Sequence, residues 1–154
     1  MKGLVKYIEE SFAIQLELKG LPKDKLGMLP LYLRGSYMFF DGYILNRHVI
    51  FIEPAGAEEL TPDQKQKQVQ TLKELFKLPV MFILNDLEPW ERKRLIGKNV
   101  AFVQPGKPVR GKCTRAIKAN IMINIYGPDV MCKWKSIPMI IKEITARLFL
   151  KTIE

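Results

Sequence analysis

The chain has 154 residues, enough for one domain with a substantial core and short for two. Apolar residues make up 47% and charged residues 27%, which excludes a disordered chain, and the longest apolar runs fall far below the roughly 20 residues of a bilayer-spanning helix. The net charge of +9 comes wholly from the second half: residues 1–86 hold 11 Lys/Arg and 11 Asp/Glu, whereas residues 87–154 hold 14 and 5. Met1 to Gly20 has no apolar stretch followed by a small-residue cleavage site and carries Glu9 and Glu10, so it does not read as a signal peptide. Cys113 and Cys132 are therefore expected as free thiols of a cytoplasmic protein, with a disulfide as the alternative.

In chain order, Leu4, Ile8 and Phe12 fall at helical spacing and predict a helix over residues 2–12. Ile14, Leu16 and Leu18 alternate with polar residues, the period of a strand with one buried face. Gly20 to Pro30 reads as a turn-rich connection. Tyr37–Leu45 and His48–Ile52 form a hairpin turning at Asn46-Arg47, with Gly42 a bulge or a point of close approach. Thr61, Pro62 and Gln64 spell a capping box with proline at the first helical position, and Val69, Leu72, Leu75 and Phe76 give that helix its apolar stripe. Pro79–Leu84 is a wholly apolar strand, suited to burial on both faces. A helix is expected from Glu88 to Ile96 with Gly97 at its C-terminal cap, then a buried strand over Val100–Val103. Further on, Ile121, Ile123 and Ile125 alternate like a strand, a turn follows at Tyr126-Gly127-Pro128, and Ser136 caps a final apolar-faced helix.

The order α-β-β-β-α-β-α-β up to residue 103 predicts an α/β domain, a mixed sheet with helices on both faces. Residues 1–107 read as the core domain and residues 108–154 as a basic tail whose C-terminal helix packs on it. The order resembles the core of restriction-endonuclease-like folds, the PD-(D/E)xK superfamily. In that family an acid on one strand and an acid-x-Lys triplet on the next hold a divalent metal, because hard cations prefer carboxylate oxygens. The matching acids are Asp41 and Glu53, but the triplet reads Glu53-Pro54-Ala55 and lacks the lysine. A second resemblance covers residues 29–107. Leu29-Pro30-Leu31-Tyr32-Leu33-Arg34-Gly35, Thr61-Pro62 with Lys67-Gln68, Pro79–Ile83, Trp90–Ile96 and above all Val100–Lys107 look like the N-terminal region of bacterial regulators with a MarR-like winged helix-turn-helix. That resemblance implies a sensor or partner domain of a DNA-binding regulator. After Lys107 the pattern departs, and 47 residues remain, read either as a divergent tail or as a truncated or shifted frame.

Between Arg92 and Lys118 stand Arg92, Lys93, Arg94, Lys98, Lys107, Arg110, Lys112, Arg115 and Lys118, with no acid. An excess confined in this way attracts phosphates, so these nine residues are the expected nucleic-acid contacts and DNA the expected partner. Trp90 beside Arg92, Lys93 and Arg94 is the feature singled out, with Arg92 four residues after Glu88 and so placed for an intrahelical pair. His48 is the lone histidine, the cysteines lack C-x-x-C spacing, and no Gly-rich phosphate loop follows a strand, so neither metal nor cofactor is expected. Tyr37, Phe39, Phe40 and Tyr43 alternate as hairpin core residues do, with base stacking as the alternative. Three functions follow: a non-catalytic DNA-associated regulatory domain, a metal-dependent nuclease using Asp41 and Glu53, and a homodimer formed through the apolar helix of residues 136–154.

Overall fold

Leu4 and Ile8, one turn apart, are buried on the inner side of α1 (Lys2–Phe12), the helix their spacing predicts. The computed structural model describes residues 2–12, 16–44, 47–56, 59–105 and 112–126, without the side chains of residues 2, 11, 12, 112–116, 118 and 126. β1 (Leu18–Gly20) follows, shorter than the alternation suggested, with Leu16 buried just before it. The segment expected as a turn-rich connection, Gly20 to Pro30, contains a short helix, α2 (Lys23–Gly27), and a second, α3 (Leu31–Ser36), follows it. Each starts after a proline, Pro22 and Pro30, whose fixed φ suits the entry to a helix. Neither is long enough to show an apolar period, which is why the sequence reads as turns. Arg34 joins them by donating to the carbonyls of Gly27 at 3.2 Å and Leu29 at 3.0 Å.

β2 (Tyr37–Ile44) and β3 (Arg47–Pro54) pair antiparallel without a break from Tyr37↔Pro54 to Ile44↔Arg47, so there is no bulge at Gly42. Gly42 is instead a point of close approach. A Cβ there would lie 3.0 Å from a Leu18 methyl, 3.1 Å from the Glu17 carbonyl and 3.2 Å from the Phe51 ring. α4 (Pro62–Phe76) begins with the predicted box: Thr61 Oγ1 accepts from Gln64 N at 3.3 Å, and Gln64 Oε1 accepts from Thr61 N at 2.9 Å. β4 (Val80–Ile83) is buried at every position and lies parallel to β3. α5 (Pro89–Gly97) leads to β5 (Ala101–Val103), parallel to β4. The left-handed residue after α5 is Asn99 (φ 55°) and not Gly97, which stays helical. Asparagine tolerates this conformation better than most residues.

The result is an α/β fold, a mixed five-stranded sheet in the order β1-β2-β3-β4-β5 flanked by helices. Successive residues of a strand face opposite sides. Phe39 meets Phe76 of α4 with ring centroids 6.5 Å apart, whereas Phe40 lines a groove with Gly3 and Leu4 of α1. The two helices thus cover opposite faces. Phe51 of β3, Phe82 of β4 and Phe102 of β5 are fully buried, each contributing roughly 1.5–3 kcal/mol by removal from water. α2 and α3 interrupt the expected run of three strands after α1.

The strand expected over Ile121–Ile125 is a helix, α6 (Lys112–Tyr126). Residues four apart lie on one face under both periods, so Ile121 and Ile125 satisfy either. Met122, buried beside Ile121, and Ile123, only half-buried, break the two-residue alternation and fit the helix. α6 is held to the sheet by a polar chain. Asn120, 3% exposed, donates to the Val100 carbonyl at 2.7 Å, Asn124 donates to Asn120 O at 2.9 Å, and Lys73 of α4 donates to Asn124 Oδ1 at 2.8 Å. The turn at 127–128 and the final helix from Ser136 lie outside the described residues.

Two stability outcomes follow from this packing. Asn120→Ala should cost about 1–3 kcal/mol, since it leaves the Val100 carbonyl buried without its donor. Lys77, which ends α4 with φ 53°, should accept glycine with a gain of roughly 0.5–1 kcal/mol. Urea unfolding of each variant against the wild type measures both, and an Asn120→Ala protein of unchanged stability would contradict this account of α6 docking.

Candidate functional site

The basic residues of α5 do not share one direction. Arg92 turns inward, Nη1 donating to Gln104 Oε1 at 3.4 Å, and its Nε is buried without a partner among the described residues. Glu88 does not hold its side chain as the four-residue spacing suggested. Arg94 and Lys98 both reach across to Asp63 in the first turn of α4, Arg94 at 3.8 Å and Lys98 by a direct hydrogen bond. That hydrogen bond, with the charges of Lys98, Arg94 and Lys67, holds the Asp63 carboxyl below the usual carboxylate range. Lys93 is exposed, and no described carboxylate lies within ion-pair reach of it. Lys112, Arg115 and Lys118 belong to α6, and their side chains lie outside the described residues. Lys107 and Arg110 lie outside the described residues.

The two acids of the nuclease reading are not brought together. Asp41 stands opposite Ile50 and Glu53 opposite Met38, three positions apart along the hairpin. An odd separation sends the two side chains to opposite faces of the sheet. Asp41 is hydrogen-bonded to His48 and lies 4.0 Å from Lys25, while the Tyr43 ring stacks on His48 at 4.9 Å. No group of three His, Cys, Asp or Glu side chains converges among the described residues.

A different site lies where β3 and β4 end. Because these strands are parallel, their carboxyl ends open on the same edge, the place where α/β sheets form crevices. Here the crevice is a cleft of about 780 Å3. The end of β3 contributes Glu53, the exit of β4 contributes Asp86, α5 contributes Glu91, and Glu59 and Glu88 stand on the connecting segments. The described residues of its wall include one cation, Lys65 of α4. Lys65 is 8% exposed, and no described side chain or carbonyl makes a hydrogen bond or ion pair with its ammonium. Burial lowers its pKa, against the opposing charges of Glu91 and Glu59. The floor is polar: the hydroxyl of Tyr37, from the start of β2, donates to Gln68 Oε1, and burial pushes the Tyr37 pKa up to about 12. Trp90, 57% exposed on α5, stands on the rim.

The helix N-termini beside the cleft are closed by their own side chains. Thr61 and Gln64 cap α4, and Glu91 Oε2 accepts from Glu88 N at 2.9 Å at the start of α5. Sequence reasoning placed Trp90 with the basic residues and passed over Lys65 altogether. A signal for Lys65 was present, because Pro62, Lys65, Val69 and Leu72 fall at spacings of three and four and are the buried stripe of α4.

No protein-family model matches the chain, and comparisons with characterised proteins and with solved structures gave no match.

The link from α5 to Asp63 carries a pH signature. A carboxyl whose folded pKa is depressed stabilises above its unfolded pKa, and the gain disappears as pH falls through the depressed value. Asp63→Asn should therefore unfold more easily than the wild type near pH ~7, and the difference should close by about pH 2. A gap that persists unchanged into acid would mean that the carboxylate charge plays no part.

Proposed function

We propose that the chain is a non-catalytic, DNA-associated regulatory domain of the cytoplasm that meets phosphates through its basic segment. The observation that carries this reading is the charge distribution: 14 of the 25 Lys/Arg lie in residues 87–154 against 5 acids, and none of those acids falls between Arg92 and Lys118. An excess concentrated in one part of the chain raises the local potential and the on-rate for a polyanion, and phosphate contacts release condensed counterions. Lys93, Lys107, Arg110, Lys112, Arg115 and Lys118 are the contacts this reading favours, since Arg92 bonds Gln104 and Arg94 and Lys98 share Asp63. The resemblance of residues 29–107 to the N-terminal region of winged-helix regulators supports the same role, as sensor or partner domain. The separation of Asp41 from Glu53 supports a non-catalytic part in it.

Binding to a DNA duplex should weaken with a slope of about −0.9 in log K against log salt for each phosphate contact. Lys93→Ala and Arg115→Ala should each flatten that slope by roughly one contact. Asp63→Asn should strengthen binding by releasing Arg94 and Lys98. Salt-independent binding, or none at about 50 mM salt, overturns the reading. Plasmid cleavage with Mg2+ that is lost in Asp41→Ala would replace it with a nuclease.

A further inference from the structure

The cleft is chemically opposed to the protein that contains it. The chain carries +9, yet the described wall of the cleft presents Glu53, Glu59, Asp86, Glu88 and Glu91 against Lys65. Two independent demands meet there. The carboxylates attract positive charge. Lys65, more than nine-tenths buried and with no hydrogen bond to its ammonium among the described residues, has its desolvation offset only through space by Glu91 and Glu59, so a directly bonded anion would stabilise it.

We infer that the cleft binds a basic amino acid, whose carboxylate pairs with Lys65 and whose two cationic groups sit among Glu59 and Glu91 beside Trp90. Other classes satisfy only part of the wall. A nucleotide or other polyanion meets five carboxylates. A bare diamine leaves Lys65 facing like charge. A divalent metal needs several oxygens converging on one point, and no group of three His, Cys, Asp or Glu side chains does so among the described residues. A neutral amino acid satisfies Lys65 but leaves the carboxylate excess in place. The exposed indole face of Trp90 adds a cation–π surface at the rim. A cleft of about 780 Å3 lies within the range of small-molecule sites. Tyr37 and Gln68 bond each other on the floor, so neither demands a ligand and both remain able to accept one more contact.

This inference concerns a face remote in chemistry from the basic segment, and it stands whether or not the chain binds DNA. Calorimetric titration of the full chain with L-lysine, cadaverine, L-norleucine and Mg2+ tests it. Cadaverine lacks the carboxylate and norleucine lacks the side-chain amine. L-lysine should bind at least about tenfold more tightly than either, because a charge-assisted contact is lost in each case. Lys65→Met keeps the aliphatic stem, and should bring lysine down to the affinity of cadaverine while leaving cadaverine no weaker. Glu59→Gln, at an exposed position, should weaken lysine and cadaverine together and spare norleucine. The proposal is overturned if none of the four binds, if cadaverine or Mg2+ binds as tightly as lysine, or if Lys65→Met binds lysine unchanged. If Lys65→Met fails to fold, the Glu59→Gln comparison decides alone, and equal losses for all three organic ligands would reject the assignment.

Discussion

The parallel pairing of β3 with β4 is the constraint on which the rest of the molecule depends. β3, β4 and β5 supply side chains buried on both faces, from Val49–Ile52 through Val80–Ile83 to Ala101–Val103. Such strands cannot sit at an open surface, so helices must cover both sides. Parallel strands also need a crossover, and α4 and α5 supply the two required here. One arrangement of apolar residues therefore fixes the layers, and at the same time fixes which edge of the sheet opens as a cleft. The cleft is a consequence of strand direction, and the residues that line it arrive from six elements, α3 to α5, and the segments between them.

That origin explains why the fold was more legible than the site. α1, α4 and β4 announced themselves through local signals: a helical stripe at Leu4 and Ile8, the Thr61 capping box, and an unbroken apolar run. Local signals failed where two periods coincide, as at Ile121 and Ile125, and where a helix is too short to have a period, as in α2 and α3. Strand alternation already contained the fact that Asp41 and Glu53 diverge, because their distances from the hairpin turn differ in parity. Proximity along a hairpin was mistaken for proximity in space. Lys65 was hidden for a different reason. Its neighbours in sequence are Gln and Lys, so composition gives an exposed helix face, and only its register with Val69 and Leu72 reveals that it points inward.

A buried lysine is costly to keep. Removing an ammonium from water carries a penalty of several kcal/mol unless an anion or hydrogen bonds replace the hydration. Glu59 and Glu91 offset part of that penalty through space, as the direction of their effect on Lys65 indicates, without hydrogen-bonding it. The Arg92 Nε, on the helix that forms the other side of the cleft, is buried without a partner among the described residues. β3, β4 and β5 show the opposite pattern, with apolar side chains packed to near-zero exposure.

The same geometry corrects what a run of charge in sequence means. Arg92, Lys93 and Arg94 are adjacent in the chain, but a helix turns about 100° per residue, so three neighbours face three ways. Arg92 meets Gln104 at the end of β5, Lys93 meets solvent, and Arg94 meets Asp63 on α4. A stretch of three cations on a helix is therefore at most one phosphate contact and two structural ones. Adjacency in sequence thus says little about where charge gathers on a helix. Asp63, which joins α4 to α5 through two of the cations, takes from the field of α5 the charge that it gives to the fold.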